Sequence, residues 1–420
     1  MRFAGAGPAV LVVLSSMAGL SAEEDRSSVA ELRAAGVEAY KARKYFQAIQ
    51  NLEAALAAAP AAEKAAIAEL LARARSALGV ELFNEGEAKK AEECFREALR
   101  HAPDSYAHFG LGFIHFLRVE DDSAREHLAR ALSLERGYAK THKLLGLLDY
   151  RLGRTPEAIE KMKEAVRLDP KDAEARALLD RWVTEGEFTG SFVERVSGAF
   201  RVRSDPELPP ERVEEVLRRL EAARERVSSG LGLDAKAGRT SVVLFAEERF
   251  QKATRSLHWV AGVYDGQIKL PVPRAKPRTP EDARALDESL RHELAHLAVR
   301  QVSPECPNWL NEGIAQRFEG KERGDETRKL LRAGASRKIA FRNVPARLWE
   351  VEDEALARWT YLQGLGFVDY LCERFLEFRL RLLLDALAKE RSLGAAFEAT
   401  YGITLEAAEA AWWRDIESKP

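Results

Sequence analysis

Cysteine is scarce. Cys94, Cys306 and Cys372 are the only three in 420 residues, too few and too scattered for a disulfide framework. None has metal-ligand spacing, so buried thiols are expected, with a Cys306–Cys372 bond left open in an exported chain. Net charge is scarce as well. A formal charge of −2 with no dense basic block gives no electrostatic case for nucleic acid. Beyond the N-terminus no apolar stretch is long enough to cross a bilayer. Histidine is limited to eight residues. What remains is ordinary globular composition, 46% hydrophobic and 31% charged, at a length that suggests two or three domains.

Residues 1–22 stand apart. Met1-Arg2-Phe3 is a charged start, Ala9 to Leu14 a short apolar core, and Ser15, Ser16, Ala18, Gly19, Ser21 and Ala22 are small residues before Glu23-Glu24-Asp25. This is the pattern of a cleavable secretory signal cut near Ser21 or Ala22, which predicts export to a periplasm or the extracellular space. With no cysteine near the cut, a lipid-modified N-terminus is not expected.

An internal repeat follows. In the block from Ala139 to Asp172, Leu145-Gly146, Tyr150, Gly153, Ala158, Ala165 and Pro170 punctuate 34 residues. The landmarks recur upstream as Gly112, Ala124 and Ala131; as Gly79, Ala91, Ala98 and Pro103; and as Gly36, Ala48, Ala55 and Pro60. The alanines at 48, 91, 124 and 158 are spaced by 43, 33 and 34, so a lengthened helix is expected around Ala61-Ala62-Glu63-Lys64. The pattern resembles tetratricopeptide (TPR) repeats. It implies an all-α solenoid of about four repeats within residues 29–182, closed by a helix from Ala173 to Trp182, whose concave face holds a protein partner or the chain's own second domain. Five histidines (His101, His108, His115, His127 and His142) fall here, and repeat packing or solvent exposure accounts for them.

Residues 183–196 read as a linker, because Thr184 to Ser191 is rich in glycine, threonine and glutamate. Beyond it, Ser197 to Arg203 alternates like a first strand. Glu211 to Ser228 patterns as an amphipathic helix, and Ser241 to Phe245 as a buried strand. Val263 to Val272 reads as a turn at Asp265-Gly266 running into a strand, with Pro271 favouring a sheet edge able to pair with an extended peptide.

Arg291-His292-Glu293-Leu294-Ala295-His296-Leu297 carries the chemistry. On a helix His292 and His296 share one face a turn apart, where two imidazoles can converge on a divalent ion. Glu293 is then placed to act on a metal-bound water and not on the metal. Thr279, Pro280 and Asp282 supply a capping-box start, and Leu286, Leu290, Leu294 and Leu297 form an apolar stripe on the far side. After fifteen intervening residues, Glu312 lies in Pro307-Asn308-Trp309-Leu310-Asn311-Glu312-Gly313-Ile314-Ala315. A short second helix offering a glutamate completes a His-His-Glu site with a fourth position open. Gly313 is expected to let these two helices approach closely.

Together the two segments resemble the gluzincin metallopeptidases, in particular peptidase MA-like domains. The resemblance implies an α+β domain over residues 197–417 in which His292, His296 and Glu312 hold Zn²⁺ and Glu293 is the general base. Tyr361, which matches the tyrosine of the helix opening at Trp359, is implied as the oxyanion donor, ahead of Tyr264 and His258. No G-x-M-E-N segment is present, which leans towards endopeptidase action. Gln316 stands four after Glu312, where thermolysin-like enzymes have an aspartate, so the groups that orient the histidines are left open. The competing reading is a non-catalytic TPR scaffold with a structural or vestigial zinc site.

Overall fold

The computed structural model describes residues 28–231, 239–254, 263–275, 279–304, 306–320, 324–344, 354–390 and 392–418. The expected signal segment and His258 lie outside them. The chain forms two compact units, one running to His115 and including Asp122–Thr141, the other made of Phe116–Asp121 and everything from His142 onwards.

The first unit is helical hairpins. α1 (28–41), α2 (Tyr45–Ala58), α3 (Ala61–Asn84), α4 (Ala88–His101), α5 (Ser105–Leu117) and α6 (Asp121–Leu134) follow one another through tight turns. One packing rule repeats. A Cβ on Gly36 would strike Leu52 at 2.7 Å, one on Gly79 Phe95 at 2.7 Å, and one on Gly112 Leu128 at 2.7 Å, each partner sixteen residues on. A glycine on the first helix thus admits the large apolar residue of the second, and Ala48, Ala91 and Ala124, all 0% exposed, line the same crossings. The expected lengthened helix is α3, at 24 residues against 13 for α5.

The second unit starts with the same hairpin rule in α7 (Ala139–Arg151) and α8 (Thr155–Leu168), where Gly146 faces Ala158 and Met162. α9 (Ala173–Thr189) follows, capped by Asp172, whose carboxylate accepts from the Ala175 amide at 2.9 Å. The expected linker is therefore helix and strand: α9 runs on to Thr189, and β1 (Val193–Ser197) begins four residues later. Its composition misled because Thr184 to Thr189 belong to a helix with a buried side. Glu185 is 0% exposed and Thr189 5%. The boundary placed between residues 182 and 197 thus falls inside a compact unit.

β2 (Phe200–Ser204) pairs antiparallel with β1. The single strand expected over Ser197 to Arg203 is instead a hairpin corner, turned by Gly198 at φ +51. α10 (Pro210–Leu231) connects β2 to the parallel β3 (Thr240–Ala246), and α11 (Glu247–Thr254) follows. β4 (Val263–Tyr264) turns at Gly266 into β5 (Ile268–Val272), giving the order β1-β2-β3-β5-β4. β5 is thus not the outermost strand, although among the described residues β4 covers it only at Ile268 and Lys269.

Alternation divides the sheet's faces. Phe200, Val202, Val242, Leu244, Ile268, Leu270 and Val272 join the main core, built with α10, α12 (Pro280–Val302), α13 (Asn308–Glu319), α14 (Gly324–Ala333), α15 (Glu354–Phe375), α16 (Phe378–Glu390), α17 (Leu393–Tyr401) and α18 (Leu405–Ser418). Val243 and Phe245 pack the other way, on Phe188 and Phe192. Lys269 also points that way; only 1% exposed, it donates to Glu185 at 2.5 Å and to Asp265 at 2.9 Å. The three cysteines are free, Cys372 buried and the others half-buried. Among the described residues no helix is long and apolar enough to cross a membrane.

Two expectations about stability follow. Gly313 and Gly364 mark the crossing of α13 and α15, where a Cβ on Gly313 would meet the Gly364 carbonyl oxygen at 2.6 Å. Backbone cannot swing aside, so Gly313→Ala should cost about 1–3 kcal/mol in denaturant unfolding; unchanged stability would refute the contact. For Asp265, burial alone would raise the carboxyl's pKa, but Lys269 and Arg181 more than offset it and hold it below its usual range. The stability it contributes is present above the unfolded value of about 3.9 and is lost as pH falls through the lower folded value. Melting temperature should therefore fall more steeply below about pH 4 in wild type than in Asp265→Asn; parallel curves would remove Asp265 from the acid response.

Candidate metal centre

α12 starts as its sequence requires. Thr279 Oγ1 accepts from the Asp282 amide and the Asp282 carboxylate accepts from the Thr279 amide, both at 3.1 Å, with Pro280 in the first turn. Leu290, Leu294 and Leu297 are buried, each worth about 1.5–3 kcal/mol, and Leu286 packs at the core's margin. That burial fixes the helix's rotation and turns His292 and His296 to the opposite side.

α13 crosses α12 and ends at Gly320, which takes the left-handed conformation at φ +79. Trp309, Leu310, Ile314 and Phe318 are buried. Arg291 of α12 donates from Nε to the carbonyls of Phe318 and Glu319 at 3.1 and 3.0 Å, placing a cation at the C-terminal end of α13. The crossing brings Glu312 to both histidines.

His292 Nε2 and His296 Nε2 are 3.0 Å apart, and Glu312 Oε2 is 3.7 Å from each. These are the residues that the sequence nominated, and among the described residues they form the one group of three or more His, Cys, Asp or Glu with ligand atoms all within 4.8 Å of one another. Ligands about 2.0–2.2 Å from a tetrahedral zinc ion sit roughly 3.3–3.6 Å from each other, and the observed 3.0 and 3.7 Å bracket that range.

The outer ring nitrogens are held too. His292 Nδ1 bonds Glu319 Oε1 at 2.8 Å, and His296 Nδ1 donates to Asn311 Oδ1 at 3.0 Å. Both inner nitrogens then turn lone pairs towards each other and towards a carboxylate, an arrangement that calls for a cation. The residues fit a divalent ion. The two rings titrate apart, so His292 is the one on which a proton competes with an ion. Burial opposes charge on His292, but the bond to Glu319 and the carboxylates of Glu293 and Glu312 prevail and push its pKa up to about 9. Burial, with the charge of His292 added, pulls His296 down to about 3.

Sequence reasoning missed these orienting groups by looking four residues past Glu312. Gln316, which stands there, donates from Nε2 to the Tyr361 carbonyl at 3.2 Å and so ties α13 to α15. The orienting carboxylate is Glu319, a further turn along, two helical turns from Glu312 on the same face. Helical spacing could have found it. Gly313 also acts elsewhere than expected: its close approach is to Gly364 of α15, not to α12.

Glu293 is 4% exposed, and its Oε2 has no hydrogen-bond partner among the described residues. Burial raises its pKa to about 7, and does the same for Glu312. Tyr361 is close enough that, after burial, the charges of Glu312 and Glu293 raise its phenol. Tyr264 instead has Arg300, Arg151, Asp121 and Asp265 as its charged neighbours. In the repeats, His108 and His127 share a hydrogen bond between their Nδ1 atoms at 3.0 Å, and His115 stacks on His127.

Comparison with known proteins agrees with this division. Residues 283–418 match the Peptidase MA superfamily, and residues 72–105 and 139–172 each match a tetratricopeptide repeat. A human protein named FK506-binding protein-like is 29% identical over 128 residues, covering 28% of this chain and 37% of that protein. The chain thus spans little more than a third of that relative's length. From α12 to its last helix the protein is a peptidase MA-like domain, and tetratricopeptide repeats precede it in the chain.

Proposed function

We propose that the protein is a zinc-dependent peptidase, exported by its N-terminal segment, whose repeats recruit a protein partner or the substrate. The observation that carries the reading is the convergence of His292, His296 and Glu312 beside the buried, half-unpartnered carboxylate of Glu293. The first three would hold zinc, with Glu319 and Asn311 keeping the imidazoles turned inward. When bound, the ion supplies Lewis acidity that makes water a nucleophile near neutral pH.

Glu293 takes the proton of the attacking water and passes it to the leaving amine. Tyr361, kept protonated by its surroundings, donates to the oxyanion as it forms. An extended peptide can pair with β5 beyond Lys269, where β4 leaves its edge uncovered among the described residues. Endopeptidase action is preferred, because no G-x-M-E-N segment is present to hold a free amino terminus.

Purified wild type should carry one zinc per chain and cleave a denatured protein mixture in a chelator-sensitive way. Glu293→Gln should retain the zinc and lose activity roughly 10²–10⁴-fold, whereas His296→Ala should lose the zinc itself. A Glu293→Gln variant as active as wild type would end the assignment of the base. Zinc without cleavage would favour the scaffold reading, and wild type without zinc would end the metal site. Glu319→Ala should weaken zinc roughly 10–100-fold in competition with a chelator, and Glu319→Gln less; equal affinity in all three would deny Glu319 its orienting role.

A further inference from the structure

The last repeat reaches into the peptidase-bearing unit with its own turn. Tyr150 and Arg151, at the end of α7, lie against the β4–β5 hairpin: a Cβ on Gly266 would come within 3.9 Å of both residues. Gln267 of the hairpin donates to the Tyr150 carbonyl at 2.6 Å, and its own oxygen accepts from Arg203 and Ser241, each at 3.2 Å. The Tyr150 hydroxyl donates to Glu185 of α9 at 2.6 Å and receives Lys269 of β5, while its ring stacks on Trp182 at 4.4 Å. Arg151 forks back to the α5–α6 turn, bonding the Phe116 carbonyl at 2.9 Å and the Asp121 carboxylate. On its other side the hairpin packs on α12, and the charge of Asp265 reaches Glu293.

These contacts are directional and dry. Tyr150 and Lys269 are each 1% exposed, and Glu185 and Gln267 are 0%. An apolar seat would tolerate sliding, whereas buried polar groups that must each find a partner accept one register. A site whose reacting groups stand on α12 gains from that, since misplacement by about 1 Å can cost about a hundredfold in rate.

We propose that Tyr150, Glu185 and Gln267 are positioning residues that seat the β4–β5 hairpin against α12, making the terminal repeat a working part of the catalytic unit and not a detachable recruiting module. The effect on turnover rests on the peptidase reading; the seating of the hairpin does not.

The test uses the full chain as wild type, Tyr150→Phe and Gln267→Ala. Tyr150→Phe keeps the ring on Trp182 and removes one hydroxyl, and Gln267→Ala leaves the Lys269–Glu185 pair intact and Arg203 its bond to Thr155, so two independent variants probe the seat. Hydrogen exchange over residues 263–272, zinc content and steady-state peptide hydrolysis are measured on each. Both variants should exchange these amides several-fold faster while retaining zinc, with kcat falling roughly ten- to a hundredfold and KM little moved. Unchanged exchange would overturn the seating, and faster exchange with unchanged kcat would overturn the positioning role. Should wild type hydrolyse nothing, the proposed function fails on its own, and the exchange rates still decide the seating.

Discussion

Three electron-rich atoms from two helices, all within 4.8 Å of one another, are the constraint around which this fold is organised. One helix can place two of them, but the third must come from a chain segment that crosses it. The crossing of α12 and α13 is accordingly bonded from both sides. Asn311 and Glu319 of α13 hold the outer nitrogens of the two histidines, and Arg291 of α12 holds the last carbonyls of α13. The same groups fix ring orientation and helix angle, so the site and the crossing stand or fall together.

A second layer supports that crossing. α15 is drawn against α13 at the Gly313–Gly364 contact, where neither helix has a side chain to keep them apart. Gln316 adds a bond to the backbone of Tyr361. The register of α15 on α13 thereby decides that Tyr361 stands near Glu293 and Glu312, which no property of the α15 sequence determines. Across the sheet, Lys269 and its carboxylates play the corresponding part for the β4–β5 hairpin. There the partner surface is the end of the last repeat, which lies in the same compact unit as the hairpin with no linker between them.

Most local structure is legible in the sequence. The capping box at Thr279 and Asp282, the leucine stripe of α12 and the small residues of the repeat crossings are all decided within a turn or two of chain. The stretch after Trp182 was misread for a related reason. Glycine, threonine and glutamate describe a flexible connection until a neighbouring surface buries them, and Glu185 became interior only because Lys269 and Tyr150 are there to meet it. β1 was missed because the corner at Gly198 joins two strands whose alternation runs on through the turn.

By itself, then, the sequence determined the two kinds of repeat helix and the face of α12 that carries His292 and His296, and it named the three residues that converge there. Helical periodicity and residue chemistry are local properties, and they are written where they act. Only the tertiary structure decided that Glu319 and not Gln316 bonds His292, that Gly313 meets α15, and that the last repeat belongs to the unit with the peptidase MA-like domain. Each of these depends on which surfaces meet across 27 to 117 residues of chain, and nothing in the spacing of one segment records the angle at which another will cross it.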